Sequence, residues 1–442
     1  MSKVSSTVET FSGFFKVSGM EDKFELVRKY NFWDGQPIPL GYVRVNYTDK
    51  IYSYSGNNRL VKVLVGQRRV GKSYILRQLA ARLIDNGVNT DNILFINCEL
   101  MAFSFVRTSD DLHELVSSYR EKLKPKGRIY LFIDEVQNIE GWERIINSYS
   151  QDYVDDYEIF ISGSNSKMLS GELATFLSGR YVSFEIFPFS YDEYCGILGK
   201  DLSGQSYIEY MQSGGMPELF VLPQQESKRN YISAVKDTVL LRDIIQRHNI
   251  KDAKLLEELF IYLINNASNL MSVRNITNYL KSKGRKTSYD TVAAYIGYIE
   301  DTYLLHRVDR YNIKGKDTIA GNSKYYANDL SFNNYLYQGF GYGVGYRLEN
   351  VVYLELARKG FDIYVGNIKD KEVDFVAIRG ERVLYVQVAY ILADEQTIER
   401  EYSSLMAIDD NYEKIVVTLD EFALPVNKGI KHIQAWKLSE LL

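Results

Sequence analysis

Soft metal ligands are scarce in this sequence: Cys98 and Cys195 are the only cysteines, and there are four histidines. That excludes a disulfide-stapled scaffold and argues against a structural zinc site. Long apolar runs are missing too. No stretch approaches the ~18–20 uncharged apolar residues that a membrane-crossing helix needs, so no membrane partner is expected. Met1 to Gly19 is rich in Ser and Thr and lacks the apolar core of a signal peptide, which predicts a cytoplasmic address. Positive charge is not in excess: 53 Lys and Arg against 57 Asp and Glu leave a formal net charge of -4 and a pI near 5.8. Any contact with nucleic acid must therefore rest on a local basic patch.

What is present is ordinary globular usage. Of 442 residues, 45% are hydrophobic and 25% charged, enough for a sizeable core and for two to four domains of ~100–200 residues each. The 36 tyrosines are read as compositional bias and core packing. Residues 1–50 look like a loosely ordered lead-in interrupted by Pro37 and Pro39. From Val61 onward, short apolar runs at 61–65, 93–97, 129–133 and 158–162 alternate with helical spacing such as Ile75, Leu76, Leu79, Ala80 and Leu83. That alternation predicts an α/β fold with a parallel sheet covered on both faces. Beyond Pro188 helices dominate to about residue 303. Extended pieces follow at 304–320, and a Tyr/Gly-rich stretch at 335–347 leads into a second α/β unit.

The chemistry is concentrated after the first strand. Gly66-Gln67-Arg68-Arg69-Val70-Gly71-Lys72-Ser73 fits the phosphate-binding (Walker A) pattern G-x-x-x-x-G-K-[ST], between a strand and a helix as the motif requires. Glycines let backbone N–H groups turn inward, and the helix start adds partial positive charge. Lys72 is assigned to the β/γ-phosphates of ATP and Ser73 to Mg²⁺, and Tyr74 is placed with the loop among the nucleotide-binding residues. Asp134 and Glu135 follow the third strand. There Asp134 is expected to hold Mg²⁺ and Glu135 to orient or deprotonate the attacking water. Ser162-Gly163-Ser164-Asn165-Ser166 ends the fourth strand, and Ser164 is a candidate γ-phosphate sensor, although a plain serine-rich turn reads the same. Arg180, just before the next strand, is either an arginine finger, in cis or on a neighbouring copy, or part of a structural ion pair.

In order along the chain, GQRRVGKSYILRQL, IDEVQ with Trp142 after it, ISGSNSKMLSGELATFLSGRY, FPFSYDEY, Gly214-Gly215-Met216-Pro217-Glu218 and ENVVYLEL…EVDFV resemble the prokaryotic AAA-type (archaeal-type) ATPases that carry a C-terminal DUF4143 domain. The resemblance spans about residues 45–442. It implies an ASCE-type sheet with an extra strand between the P-loop and the acidic pair, supplied by residues 93–97. It also strengthens Arg180 as a finger, since Arg180 occupies the family's Gly-Arg position. The resulting division is a lead-in at 1–50, an ATPase core at 51–190, a helical lid at 191–235, a winged-helix domain at 236–320 and a nuclease-like domain at 321–442.

For the winged helix, Ser272 caps a helix to about Lys281, and Thr287 or Ser288 starts a second one bearing Val292, Ile296, Ile299 and Tyr303 on one face. A wing is expected from Leu304 through Lys316. Lys281, Lys283, Arg285, Lys286, Arg310, Lys314 and Lys316 could meet the phosphates of duplex DNA. Against this, the second helix is expected to expose Asp290, Tyr295, Tyr298, Glu300 and Asp301. The last unit resembles the PD-(D/E)xK nuclease fold, with Glu349, Glu372, Asp374 and Gln387 in the places of metal ligands. It departs from that pattern where Gln387 replaces an acid and Ala389 replaces the lysine, so hydrolysis by this unit is expected to be lost. The leading expectation is an ATP-hydrolysing switch or motor acting on nucleic acid or protein, with self-association if Arg180 works in trans. The alternative is a STAND-like ATP-binding signalling module with little turnover.

Overall fold

The computed structural model describes residues 20–35, 37–166, 177, 179–337 and 343–442. Helices α1 (Met20–Arg28) and α2 (Val45–Tyr52) precede the first strand. The loosely ordered lead-in is therefore corrected from residue 20 on: Phe24, Val27 and Ile51 are core residues, and the Arg44 side chain is buried. Strands β1 (Val61–Val65), β2 (Ile93–Asn97), β3 (Ile129–Asp134), β4 (Tyr157–Gly163) and β5 (Tyr181–Glu185) form a sheet in the order β2-β3-β4-β1-β5. Every pairing is parallel. Helices α3 (Lys72–Asp85), α4 (Ser109–Leu123) and α5 (Trp142–Gln151) connect the strands. The strands are near-continuous apolar runs because side chains on both of their faces are buried.

One implied detail changes in space. Residues 93–97 lie between the P-loop and the acidic pair in the sequence, but β2 is the edge strand of the sheet. The strand that stands between β1 and β3 is β4, whose Phe160 and Ile161 pair with Lys62 and Val63 on one side and with Phe132 and Ile133 on the other. This puts the end of β4 between the phosphate loop and the acidic pair.

The middle of the chain is helical, as expected: α6 (Tyr191–Leu198), α7 (Gly204–Ser213) and α8 (Gln225–Thr238), the last running into a π-helical stretch Val239–Gln246, then α9 (Ala253–Asn265), α10 (Val273–Ser282) and α11 (Tyr289–Glu300). Ser272 and Ser288 cap α10 and α11, accepting the N–H of Asn275 and Thr291. The face of α11 is less open than its sequence suggests. Tyr295, Tyr298, Glu300 and Asp301 are half-buried, while Asp290 is exposed. Tyr298 stacks on His248 with ring centroids 3.7 Å apart, and Asp301 accepts the Ser166 hydroxyl at 2.8 Å. The end of this helix therefore rests on the loop that follows β4.

Then come β6 (Leu305–Asn312), β7 (Asp317–Ala327), α12 (Ser331–Leu336), α13 (Val344–Arg358), β8 (Asp362–Ile368), β9 (Lys371–Arg379), β10 (Arg382–Val388), α14 (Glu395–Met406), β11 (Glu413–Thr418), β12 (Ile430–Gln434) and α15 (Leu438–Leu441). The strands make a mixed seven-stranded sheet in the order β12-β11-β10-β9-β8-β6-β7. The hairpin β6–β7 was expected to be a wing that closes one domain at residue 320. It pairs in parallel with β8 through Arg310, Tyr311 and Asn312, so the division at 320/321 falls inside a strand of one continuous sheet. Residues 304–320 reveal an extended pattern, but the free edge that β6 offers to β8 is set by residues far downstream. Part of the Tyr/Gly-rich stretch, 338–342, lies outside the described residues.

Candidate nucleotide site

The loop 66–73 lies between β1 and α3 at the carboxyl edge of the sheet. Gly66 has φ 140°, and a Cβ there would sit 2.3 Å from the Ile186 carbonyl oxygen, so only glycine lets the loop leave β1 this close to the chain after β5. Gly71, at φ 99°, starts α3 in the left-handed region. Lys72 is buried and donates to the carbonyls of Gly66 and Gln67 at 2.9 and 3.0 Å, with Glu135 at 3.8 Å. Burial pushes its pKa down, and the nearby carboxylates Glu135 and Asp134 only partly oppose this. The pocket thus holds a buried cation whose closest hydrogen bonds go to backbone carbonyls rather than to the carboxylates beside it.

Asp134 ends β3 and Glu135 follows in the left-handed region at φ 55°. Asp134 is buried. It accepts the hydroxyl of Ser162 and the Asn97 amide at 3.1 Å, with Ser73 close enough to favour its charged form. Burial and the neighbouring Glu135 raise its pKa, while Ser162, Ser73 and Lys72 pull it back. Glu135 is also buried, which acts to raise its pKa, but Lys72 and Arg68 outweigh that and hold the carboxyl below its usual value. Its N–H donates to the Ser162 hydroxyl at 3.1 Å, and its carboxylate accepts the Gln137 amide. Gln137 in turn lies 3.5 Å from the Ser164 hydroxyl. Ser164 therefore sits beside the acid pair, buried at the end of β4.

Sequence reasoning gave no role to Asn97 and Gln137, and placed Ser162 only in the polar run that ends the fourth strand; all three orient the two acids. Asn97 and Ser162 lie at the ends of the strands on either side of β3, a signal that appears only when the strand order is known, while Gln137 lies in the turn directly after Glu135.

The remaining loop residues divide by direction. Gln67 is fully buried and accepts the Asn328 amide at 2.9 Å, from the residue just after β7. Arg68 is held on both sides, by Asp243 of the π-helical stretch at 2.6 and 3.1 Å and by Glu99 at 2.7 Å. Arg69, at φ 69°, is exposed, and Val70 is buried with its carbonyl accepting the Arg44 guanidinium at 3.2 Å. Arg44 also forms a two-toothed ion pair with Glu193, both bonds at 2.7 Å, which ties the loop to the start of α6. Tyr74 is exposed, packed against Gly41, with the Arg77 guanidinium 4.1 Å from its ring centroid. A cavity of about 510 Å³ borders the loop, lined by Arg68, Arg69 and Arg242 together with Glu99 and Glu218.

Arg180 lies apart from these groups. Its carbonyl accepts the N–H of Val61, the first residue of β1, so it stands at the amino edge of the sheet while the P-loop is at the carboxyl edge. Five strand residues separate the two, roughly 16 Å at ~3.3 Å per residue. That distance corrects the cis alternative: Arg180 does not reach the nucleotide of its own chain. It is exposed, and its guanidinium donates to the Asn147 side-chain oxygen at 3.2 Å.

A parallel sheet of this strand order, with a phosphate loop after β1 and an acidic pair after β3, defines a P-loop ATPase of the AAA class. A family model described as an AAA domain (AAA_14) matches residues 58–195, and a domain of unknown function (DUF8612) matches residues 204–341. The second match covers the helical middle and the hairpin, whereas the resemblance led to DUF4143 over the last unit. An uncharacterized protein of Haemophilus influenzae is 35% identical over 382 residues, 85% of this chain and 92% of its own length. Another from Methanocaldococcus jannaschii is 32% identical over 374 residues, 81% of this chain and 79% of its own. Among solved structures, the Orc1 protein of Aeropyrum pernix in complex with DNA is 12% identical, covering 72% of this chain and 97% of that one at a TM-score of 0.33. The chain belongs to the family of AAA-domain P-loop proteins that includes the Haemophilus and Methanocaldococcus relatives. Among the described residues, no helix is long and apolar enough to cross a membrane.

Proposed function

We propose that the protein is a Mg²⁺-dependent ATPase whose nucleotide state is passed from the P-loop to the helical middle and the β6–β7 hairpin. The observation that carries this reading is the convergence of Lys72, Ser73, Asp134 and Glu135 at one sheet edge, with Lys72 hydrogen-bonded to loop carbonyls and 3.8 Å from Glu135. The triphosphate supplies oxygens that Lys72 can meet in place of the loop carbonyls. The Ser73 hydroxyl and the Asp134 carboxylate are the hard oxygen donors that Mg²⁺ prefers. When bound, the ion offsets charge on the β- and γ-phosphates. Glu135, held as a carboxylate by Lys72 and Arg68 and oriented by Gln137, takes the role of orienting or deprotonating water. Ser164 is the γ-phosphate sensor, and Arg69, Val70 and Tyr74 complete the nucleotide-binding surface.

Arg68 is the relay. It exchanges the Asp243 carboxylate for phosphate oxygens, and that loosens the π-helical stretch after α8. Arg180, exposed at the far edge, serves the nucleotide of a second copy of the chain.

The order α9-α10-α11-β6-β7 supports a winged helix, with Met271 bridging to Ser323 on β7, and the last sheet supports the nuclease-like, DUF4143-type unit. Duplex DNA is the proposed partner, met through its phosphates by the exposed Lys281, Lys283, Lys286, Lys314 and Lys316. Arg285 is already engaged by Glu258 at 2.6 Å and Arg310 is half-buried, so neither carries that surface. The STAND-like alternative draws on the Arg68 clasp, which responds to occupancy without turnover.

Steady-state turnover of the purified chain, with and without duplex DNA at two salt concentrations, tests these assignments together. DNA stimulation that fades with salt supports the phosphate-reading surface, and indifference to DNA removes it. Glu135→Gln is expected to keep ATP bound while turnover falls on the order of 10²–10⁴-fold. A wild-type rate already as low as that of Glu135→Gln favours the signalling alternative. Specific activity that rises with protein concentration supports Arg180 in trans, and a flat dependence rejects it.

A further inference from the structure

A nuclease-like last unit implies a divalent metal held by Glu349, Asp374 and Gln387, with Glu372 close by. The residues present do not fit one. Lys324, buried on β7, places its ammonium 2.9 Å from Glu349 Oε1, 2.8 Å from Glu372 Oε1 and 3.5 Å from Asp374 Oδ1. Three N–H donors thus face three carboxylates. Two of these carboxylates accept further hydrogen bonds. Glu349 Oε1, the oxygen that faces Lys324, also accepts the Tyr326 hydroxyl at 2.7 Å, and Asp374 Oδ2 accepts the N–H of Val388 at 2.8 Å. Gln387 turns toward α14: its carbonyl accepts the Ser404 hydroxyl at 3.2 Å and its amide donates to Glu401 at 3.0 Å. Among the described residues, no group of three or more His, Cys, Asp or Glu side chains is arranged to hold a metal ion.

The charge balance agrees with the geometry. Burial works against the Lys324 charge, but Glu349, Asp374 and Glu372 outweigh it and hold its pKa well above the usual lysine value. Burial and Glu349 push the Asp374 carboxyl up to about 7, so part of the remaining negative charge is taken up by a proton near neutrality.

We propose that Lys324 is a tethered cation that permanently takes the place of a metal ion among Glu349, Glu372 and Asp374. The cluster binds no divalent metal and performs no metal-dependent cleavage. It fastens the β6–β7 hairpin to α13 and β9 instead. Residues 324, 326 and 328 lie on one face of the strand and its continuation, since side chains alternate with period two. Lys324 and Tyr326 hold the carboxylates, and Asn328 reaches Gln67 of the P-loop. The inference rests on the nuclease-like reading only for the expectation of a metal, and not on ATP hydrolysis.

The test titrates Mn²⁺ into the full chain, following the free ion by electron paramagnetic resonance, with Asp134→Asn in every sample to silence the P-loop ligand. The Asp134→Asn chain is expected to take up no stoichiometric Mn²⁺. Adding Lys324→Ala is expected to bind one equivalent, and adding Asp374→Asn on top is expected to abolish that binding. A folded Lys324→Ala chain that binds no Mn²⁺ overturns the proposal. So does Mn²⁺ uptake by the Asp134→Asn chain that Asp374→Asn removes, a comparison that needs no Lys324 variant to fold. Plasmid nicking is read in parallel. Mn²⁺ binding by the Lys324→Ala chain without nicking keeps the tethered cation and agrees with the loss of hydrolysis expected from Gln387 and Ala389.

Discussion

Two buried lysines, each set among carboxylates, hold the two halves of this molecule, and their surroundings differ in one respect. Lys72 spends its hydrogen bonds on two backbone carbonyls and stands 3.8 Å from Glu135, whereas Lys324 is within 2.9 Å of both Glu349 and Glu372. Burial lowers the pKa of the first, and carboxylates raise that of the second despite burial. A lysine held by exchangeable carbonyl contacts, with its carboxylates at a distance, is poised for an outside anion, and a lysine in direct contact with its carboxylates has become structure. The same residue types therefore mark a binding site in one place and a fastening in the other. Distance, rather than composition, tells them apart.

Exchanging both lysines for methionine breaks the comparison most severely. Lys324→Met leaves the buried Glu349 and Asp374 carboxylates around an uncharged side chain, with Glu372 partly open to solvent, and is expected to cost ~3–5 kcal/mol, the range for removing one partner of a buried ion pair. Lys72→Met removes hydrogen bonds to carbonyls, a loss of about 1 kcal/mol, but abolishes ATP binding. The Lys324→Met penalty also depends on pH. Without the ammonium, the Glu349 and Asp374 pKa values rise further above their unfolded values, so the folded state retains protons that the unfolded state releases. Stability is then lost as pH increases from about 4 toward and beyond the Asp374 value of about 7. Melting temperatures are expected to show a small deficit at pH 5 and a large one at pH 8. A deficit equal at both pH values contradicts the charge assignment.

How much of this was legible depends on how locally each feature is encoded. The phosphate loop and the acidic pair are contiguous runs with fixed spacing, and the four strands of residues 61–163 are apolar enough to stand out. The helix caps at Ser272 and Ser288 were equally local. What the sequence did not display are partnerships between distant residues: Arg68 with Asp243, Gln67 with Asn328, and Lys324 with Glu349, Glu372 and Asp374. Lys324 stands at the head of the run Lys324-Tyr325-Tyr326-Ala327, and a charged residue in a buried strand must find a partner. That signal was available, but assigning residues 304–320 to a wing hid the sheet to which the strand belongs.

A milder change addresses the P-loop half of the comparison. Asp243→Asn keeps the shape of the clasp but removes its charge, freeing Arg68 for phosphate oxygens. If Arg68 is the relay, ATP affinity is expected to rise roughly tenfold, within the usual range of coupling energies, and the chain without nucleotide is expected to lose ~1–3 kcal/mol. Isothermal titration and urea unfolding measure the two effects. Unchanged affinity together with lost stability makes the clasp purely structural.

The smallest expected effect concerns the contact through which the two halves meet. Asn328, directly after β7, donates to Gln67 at 2.9 Å and also lies 3.0 Å from a ring nitrogen of His306 on β6, so one side chain joins the P-loop to the hairpin that carries Lys324. Asn328→Leu keeps the volume and leaves the Gln67 carbonyl oxygen unpaired in a buried site, an expected loss of ~1–3 kcal/mol in stability. The informative readout is coupling rather than stability. In a double-mutant cycle with Lys324→Met, residues that act through one strand give non-additive changes of at least ~0.5 kcal/mol, measured as the shift in melting on adding a non-hydrolysable ATP analogue. Additive effects place the lysine cluster and the nucleotide site in separate compartments of the fold. A shared term makes β7 a two-ended element whose fastening at Lys324 sets how firmly Asn328 presents itself to the loop that holds phosphate.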